Sequence, residues 1–405
     1  MHLIVGKGRR IKRMGKVFIT FLGLTGLLCS APKVWAQAPR AIGTPDSASI
    51  SESLSESSSS PEFTKKNWSF ETGFKGRKEG KDDGFASLLR FSSEFEMRLS
   101  PWLRLEASPY ASYFSSRVQQ RFDDDTYQTR LGLNYGHLTA EPFSGLLFKA
   151  GAIPQAHLDN SQLVSKFRSF PGGLGEYSFK GIKDTEVGLR VQYVIPTSSS
   201  LNTQRESQEG LPTFVTETLF AKYSDSNWDT QSQIGLFSWN QIPARVAFES
   251  SRAGNTPANA DSEAETRLRY GYSGWYGSLE SIYSFDNGLG SGLAFHRISN
   301  TEAPSSLADS QRISLVGIFS QPNFGVKVEV GTFFSEGDAT LARYASSGYG
   351  NTNRKGEQIF AELDVKPYKF FLKGEYGQAN ELNQRTYQDD IQDFSVTVES
   401  YEFQF

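Results

Sequence analysis

From Trp68 to the end of the chain, apolar and polar side chains alternate residue by residue, in run after run. In "LLRFSSEFEMRLS", Leu89, Phe91, Phe95, Met97 and Leu99 fall on one face of an extended strand, and Arg90, Glu94, Glu96 and Arg98 fall on the other. The same reading recurs at Leu131, Leu133 and Tyr135 against Arg130 and Asn134. It returns at Val187, Leu189, Val191 and Tyr193 against Glu186, Arg190 and Gln192, and at Ile359, Ala361, Leu363 and Val365 against Glu362 and Asp364. A soluble sandwich also alternates, but it seldom repeats strands of about ten residues with full charges on the second face. In a membrane that pattern is required, because one face meets lipid and the other meets water, and closure into a barrel satisfies every backbone group. The fold class expected is therefore all-β: a closed, antiparallel, up-and-down transmembrane barrel.

The connections fall into two kinds. Tight ones lead at once to an aromatic, as in Ser100-Pro101 before Trp102, Glu141-Pro142 before Phe143, Gln321-Pro322-Asn323 before Phe324, and Asp225-Ser226-Asn227 before Trp228. Rings one residue into a strand form a girdle at one membrane surface. Longer, polar connections span 118–125, 154–173, 196–212, 298–310, 335–356 and 379–392. Seventeen strands can be marked, the segments 264–273, 275–285 and 288–298 among them, and a single-chain barrel needs an even number. Adding "PARVAFESS" (Pro243 to Ser251) gives eighteen; joining the segments on either side of Asp286 gives sixteen. Eighteen is preferred, because it keeps every girdle turn on one side.

Residues 1–36 read as a signal peptide: Lys7, Arg9, Arg10, Lys12, Arg13 and Lys16 precede the apolar run Val17 to Leu28, and Val34 and Ala36 precede a cleavage point. The run is too short to span a bilayer as a helix, which takes about 20 residues. Cleavage removes Cys29, the single cysteine, and seven cations without an anion, so the net charge falls from −3 to −10. That balance argues against nucleic acid as a partner. Residues 37–66 form a serine-rich tail expected to be disordered, since nine of the fourteen residues from Ser47 to Ser60 are serine. The barrel is expected over 67–405.

The chain closes on "YEFQF", with Tyr401, Phe403 and Phe405 at every second position. Together with the leader, the cysteine-free mature chain and the alternation, this ending resembles a Gram-negative outer-membrane porin. The resemblance implies passive diffusion of small hydrophilic solutes and ions, outer-membrane lipid and the barrel assembly machinery as partners, and a homotrimer as a possible assembly. It implies that Tyr401, Phe403 and Phe405 are an assembly signal on the lipid face, with a bulge near Ser400 to reconcile them with Val396 and Val398. It also implies that the loop "PQAHLDNSQLVSKFRSFPGG" (Pro154 to Gly173) folds into the pore. The constriction then falls to Lys166 and Arg168, opposite wall charges Arg90, Glu94, Arg98, Arg104, Glu106, Arg130 and Arg190.

Inward basic and acidic groups nearly cancel, which predicts weak ion selectivity. Rings on the inward phase (Phe237, Trp239, Tyr276, Phe333, Phe360, Phe371) leave a sugar-specific slide as an alternative, beside a structural or adhesin-like barrel whose loops do the work. Catalysis is not expected: the mature chain has three histidines, and His157 near Asp159 or His296 near Ser291 are its sole candidate pairs. No cofactor or metal is expected either. The acids Asp123 to Asp125 and Asp389, Asp390 and Asp393 read as solvated loop tips, with calcium as the sharper alternative.

Overall fold

The computed structural model describes residues 62–118, 126–182, 184–196, 210–259, 262–346, 351–385 and 387–404. The expected leader, most of the serine-rich tail, Asp123 to Asp125 and Phe405 lie outside the described residues. Among the described residues, sixteen strands close into one sheet. They are β1 (Glu62–Glu79), β2 (Asp82–Ser100), β3 (Leu103–Val118), β4 (Thr126–Phe143), β5 (Leu146–Pro154), β6 (Ser169–Ile182), β7 (Thr185–Val194) and β8 (Thr213–Ser224). There follow β9 (Trp228–Asn240), β10 (Tyr272–Ser284), β11 (Leu289–Asn300), β12 (Asp309–Ser320), β13 (Phe324–Ser335), β14 (Arg354–Val365), β15 (Phe370–Glu381) and β16, whose two pieces are Ile391–Ser400 and Phe403–Gln404. Each strand pairs antiparallel with its neighbours in sequence. The ring closes where β1 meets β16, from Glu79↔Ile391 to Glu71↔Glu399 and again at Trp68↔Phe403.

The expected eighteen strands are thus corrected to sixteen, and not by joining the segments around Asp286. Asp286, Asn287 and Gly288 make a true hairpin turn: Gly288 has φ +81°, Phe285 N–H donates to the Leu289 carbonyl at 2.7 Å, and Asn287 Oδ1 accepts from Leu289 N–H. The error lay in the excursion between β9 and β10. "ARVAFESSR" is a helix, α1 (Ala244–Arg252), preceded by Pro243. Ala244, Val246, Ala247 and Ser250 are buried, and Arg245 pairs with Glu249 one turn on at 3.3 Å. Val246 and Phe248 fall two residues apart between Arg245 and Glu249, as they would in a strand, and over nine residues periodicity alone does not separate the two. Of 264–273, Arg267–Leu268 pairs with Pro257–Asn259 in a small ribbon, and Tyr272 already opens β10. With that excursion counted as one loop, all girdle turns stay at one end, where Trp102, Phe143, Trp228 and Tyr368 are exposed.

The alternation sorts the wall as expected over most of its length. Val187, Leu189, Val191 and Tyr193 face outward and are exposed, whereas Gly188, Arg190, Gln192 and Val194 face the lumen and are buried. Two local irregularities shift the phase. A bulge in β4 leaves Asn134 without a partner, since Ser108 pairs with Tyr135 and Pro109 with Leu133. Tyr135 therefore turns inward beside His137, with ring centroids 5.5 Å apart, instead of sharing the outer face of Leu131 and Leu133. At the other end of the chain the break at Tyr401-Glu402 divides the terminal stripe. Phe403 stacks on Trp68 at 4.6 Å, but the Tyr401 hydroxyl donates to Asp364 and its ring stacks on Phe371.

Candidate pore and the loop folded into it

The inward loop, residues 155–168, leaves β5 through a single 3-10 turn, Gln155–Leu158, which ends where Asp159 takes a left-handed conformation (φ +46°). The turn sends the chain across the lumen instead of over the rim. Its polar groups are met by the wall. Gln155 and Gln192 exchange amide hydrogen bonds at 3.1 Å, the Arg190 guanidinium donates to the His157 carbonyl at 2.9 Å, and the Gln233 amide donates to the Leu158 carbonyl. Farther along, Asn160 donates to the Arg297 carbonyl at 3.4 Å and Gln162 to the Phe334 carbonyl at 3.2 Å. The loop between β13 and β14 holds the far end: Thr340 donates to the Leu163 carbonyl at 3.2 Å, and Ser165 N–H to the Tyr344 carbonyl at 2.9 Å.

Beneath this lattice lies a dry apolar wedge. Leu158 and Leu163 are 0 % exposed, and with Val164 they pack among Ile153, Phe170, Val194, Phe214, Tyr272, Tyr276, Ile298, Leu341 and Tyr344. Trp239 lies parallel to Tyr344 (5.0 Å, 1°) and stacks on Phe214 at 4.0 Å. Hence four of the six rings of the sugar slide are covered: Phe237, Trp239 and Tyr276 are sealed under the loop, and Phe333 is buried against Ala379 and Ile391, while Phe360 and Phe371 stay half-buried on β14 and β15. The lumen face from β5 to β11 is largely filled.

The rest of the lumen keeps its ionised groups partly exposed. On β14 to β16, Lys373 bridges Glu362 at 3.7 Å and also pairs with Glu399. Between β1 and β16, Arg77 pairs with Asp393 at 2.6 Å and Lys75 reaches the same carboxylate at 3.4 Å. Lys65 joins Glu94 at 2.6 Å and Glu402 at 3.2 Å, and Arg104 joins Glu106 at 2.8 Å and Glu141 at 2.7 Å. Arg90 donates to Asn134 and lies 4.4 Å from the Tyr110 ring centre. Asp393 is thus an ion-pair partner, not a solvated loop tip.

Of the residues predicted from sequence, Arg90, Glu94, Arg104 and Glu106 share this wet half, and Arg98 and Arg130 are exposed near opposite ends of their strands. Arg190 does not line the passage. At 8 % exposure it pairs with Glu176 at 2.6 Å and clamps the loop. Arg168 is likewise engaged, donating to the Arg343 carbonyl at 3.1 Å above the Tyr344 ring. Lys166 is exposed beside Phe167, itself 80 % exposed. Sequence reasoning missed the clamps Gln155, Asn160, Gln162 and Gln233. Leu158, Leu163 and Val164, an apolar set within a polar connection, were the available signal.

Burial first, then the Arg190 charge, depresses the His157 imidazole to about 3, and its Nδ1 sits 2.8 Å from the Pro154 carbonyl. Asp159 is pushed up to about 6 by burial and by Glu280, against a hydrogen bond from Ser278. Neither histidine pair considered for catalysis forms: His157 turns to the Pro154 carbonyl, and His296 and Ser291 lie on opposite faces of β11.

No protein-family model and no curated protein matches the chain. Solved structures do resemble it. OprB of Pseudomonas putida superposes with a TM-score of 0.50 at 10% identity, over 85% of this chain and 94% of that one. A loop-deleted OmpT, an outer-membrane protein of Vibrio cholerae, gives 0.49 at 11% identity over 84% and 99%. The outer-membrane channel DcaP of Acinetobacter baumannii gives 0.48 at 12% identity over 86% and 99%. The chain has a porin-like barrel fold.

Proposed function

We propose that this barrel sits in the outer membrane of a Gram-negative cell and lets small hydrophilic solutes and ions diffuse through the wet half of its lumen. The observation carrying this reading is the division of the inward face. The β5–β11 side is closed by the apolar wedge, while the opposite wall holds linked ion pairs that retain partial exposure at Arg77, Lys75, Lys373, Glu362 and Glu399. A structural barrel has no need of an ionised half, and an apolar lining would gate by excluding water. Near balance of sign along this wall favours weak ion preference, with Lys166 as the exposed cation on the loop. No catalytic step and no cofactor enters.

Reconstitution of the purified barrel in a planar bilayer is expected to give stepwise conductance. A folded barrel that stays silent overturns the reading in favour of a structural one. Lys166→Glu is expected to shift the reversal potential toward cations.

A further inference from the structure

Phe167 is a large ring that the fold leaves in water inside the barrel. It is 80 % exposed, although Val164 before it and Phe170 after it are both buried in the apolar wedge. The position is not one of slack. Lys166 and Phe167 are the two central residues of a tight turn, in which Arg168 N–H donates to the Ser165 carbonyl at 3.0 Å. Both ends of the turn are tied down: Ser165 N–H donates to the Tyr344 carbonyl at 2.9 Å, and the Arg168 carbonyl accepts from Gln155 N–H at 2.8 Å. The Arg168 guanidinium donates to the Arg343 carbonyl at 3.1 Å, and the Ser169 hydroxyl donates to the Asn134 carbonyl. A fixed turn thus presents an exposed ring and an exposed ammonium side by side, with Lys166 Nζ 5.3 Å from the Phe167 ring centre. Core packing does not account for a ring placed there.

The surroundings of the turn are positive. Arg343 and Arg245 share one carboxylate, Glu249, and Arg168 adds a third guanidinium. Burial first, then the nearby Arg343, lowers the Arg168 pKa below its ordinary value. Asp159, the acid that faces Lys166, is held by Ser278 at 3.2 Å. The wall beside the turn repeats the combination of ring and cation: Asn134, which takes Ser169 on its carbonyl, accepts on its side chain from Arg90, and Arg90 lies 4.4 Å from the Tyr110 ring centre. Ammonium and guanidinium groups donate and do not accept, so they suit an anion better than a sugar, whose hydroxyls call for both. An aliphatic anion would leave the ring face unused, whereas a flat aromatic body stacks on it.

We propose that Lys166 and Phe167 select aromatic carboxylates among the anions that enter the lumen: the solute ring stacks on Phe167 and its carboxylate meets Lys166, with Arg90 over Tyr110 as the next contact. A ring centred about 4.5–7 Å from that of Phe167, the spacing of a stacked pair, sets its carboxylate within reach of an ammonium 5.3 Å from the same centre. The proposal deepens the reading of the barrel as a diffusion channel and rests on it for entry of the solute.

The test compares benzoate with cyclohexanecarboxylate, which has the same charge and a saturated ring, as blockers of the single-channel current in potassium chloride. Benzoate is expected to reach half-block at a concentration roughly threefold to tenfold lower, the worth of one aromatic pair. Phe167→Leu is expected to bring that ratio to one, Phe167→Tyr to keep it, and Lys166→Gln to weaken block by both acids several-fold. Equal block by the two acids in the wild type, or an unchanged ratio in Phe167→Leu, overturns the proposal. Saturation-transfer NMR from the detergent-solubilised barrel to benzoate, with cyclohexanecarboxylate as competitor, reads the same site without conduction. A barrel silent in potassium chloride that transfers saturation to benzoate, and loses that transfer in Phe167→Leu, sinks the channel reading and supports the site. A conducting barrel that treats both acids alike sinks the site and spares the channel.

Discussion

Leu163 shows how much of the lumen is decided by single side chains. It is fully buried, its carbonyl accepts from Thr340, and its side chain touches the wedge from the loop side. Leu163→Ala leaves a cavity whose cost is about 2–5 kcal/mol, borne by docking of the loop and not by the barrel. The expected outcome is a larger, noisier conductance with unchanged heat resistance of the barrel; an unaltered current trace contradicts it. Docking should also respond to pH, with two opposite signs. Asp159 is raised to about 6, so its protonation favours the docked loop, an effect gained as pH falls from above 6 and complete below the ordinary carboxylate range. His157 is depressed to about 3, so its neutral form favours docking, an effect lost as pH falls from its ordinary value near 6.5 toward 3. Arg190 and Lys149 face His157, and Glu280, Arg312 and Lys166 face Asp159. The two effects oppose each other between about pH 4 and 6. His157→Gln removes one of them, so open-channel noise in that variant is expected to decrease from pH 6.5 to 4, more than in the wild type.

Among the elements, the strands were the most legible. Alternation located nearly every one, because a membrane wall imposes period two on both of its faces. The excursion between β9 and β10 was misread for the same reason that α1 is stable: it packs over the wedge, with Val246 in the same apolar cluster as Leu341 and Tyr344, and is subject to no lipid constraint. The loops are latched to one another by Asp338, which is fully buried. Its carboxylate accepts from Thr256 N–H at 2.9 Å, the Thr256 hydroxyl at 2.6 Å and the Tyr272 hydroxyl at 2.7 Å, while its carbonyl accepts from Asn300 at 2.7 Å. Hydrogen bonds to a charged group contribute about 1.5–3 kcal/mol each. Asp338→Ala is expected to expose the segment around Thr256 to limited proteolysis while leaving the barrel intact; equal protection in the variant refutes the latch.

At the level of the whole molecule, the two halves of the lumen should answer differently to the same kind of change. Lys373→Glu alters the ionised wall and is expected to move the reversal potential toward cations. Arg190→Gln removes a charge from the filled half, and is expected to loosen the loop while leaving selectivity unmoved. A selectivity shift from Arg190→Gln and none from Lys373→Glu would reverse the assignment of wet and dry sides.

The sequence by itself determined the closed antiparallel barrel, the outward and inward residues of most strands, and the end of the barrel that carries the aromatic girdle; that the connection after β5 folds inward was implied by the resemblance alone. Lipid on one side and water on the other leave a record at every second position. Only the tertiary structure decided which inward residues stay wet. Arg90 and Arg190 have the same strand phase and the same charge, yet one faces the open passage and the other is buried at a clamp. That difference comes from where residues 155–168 and 336–346 come to rest, and contacts between segments so far apart leave no period in the chain.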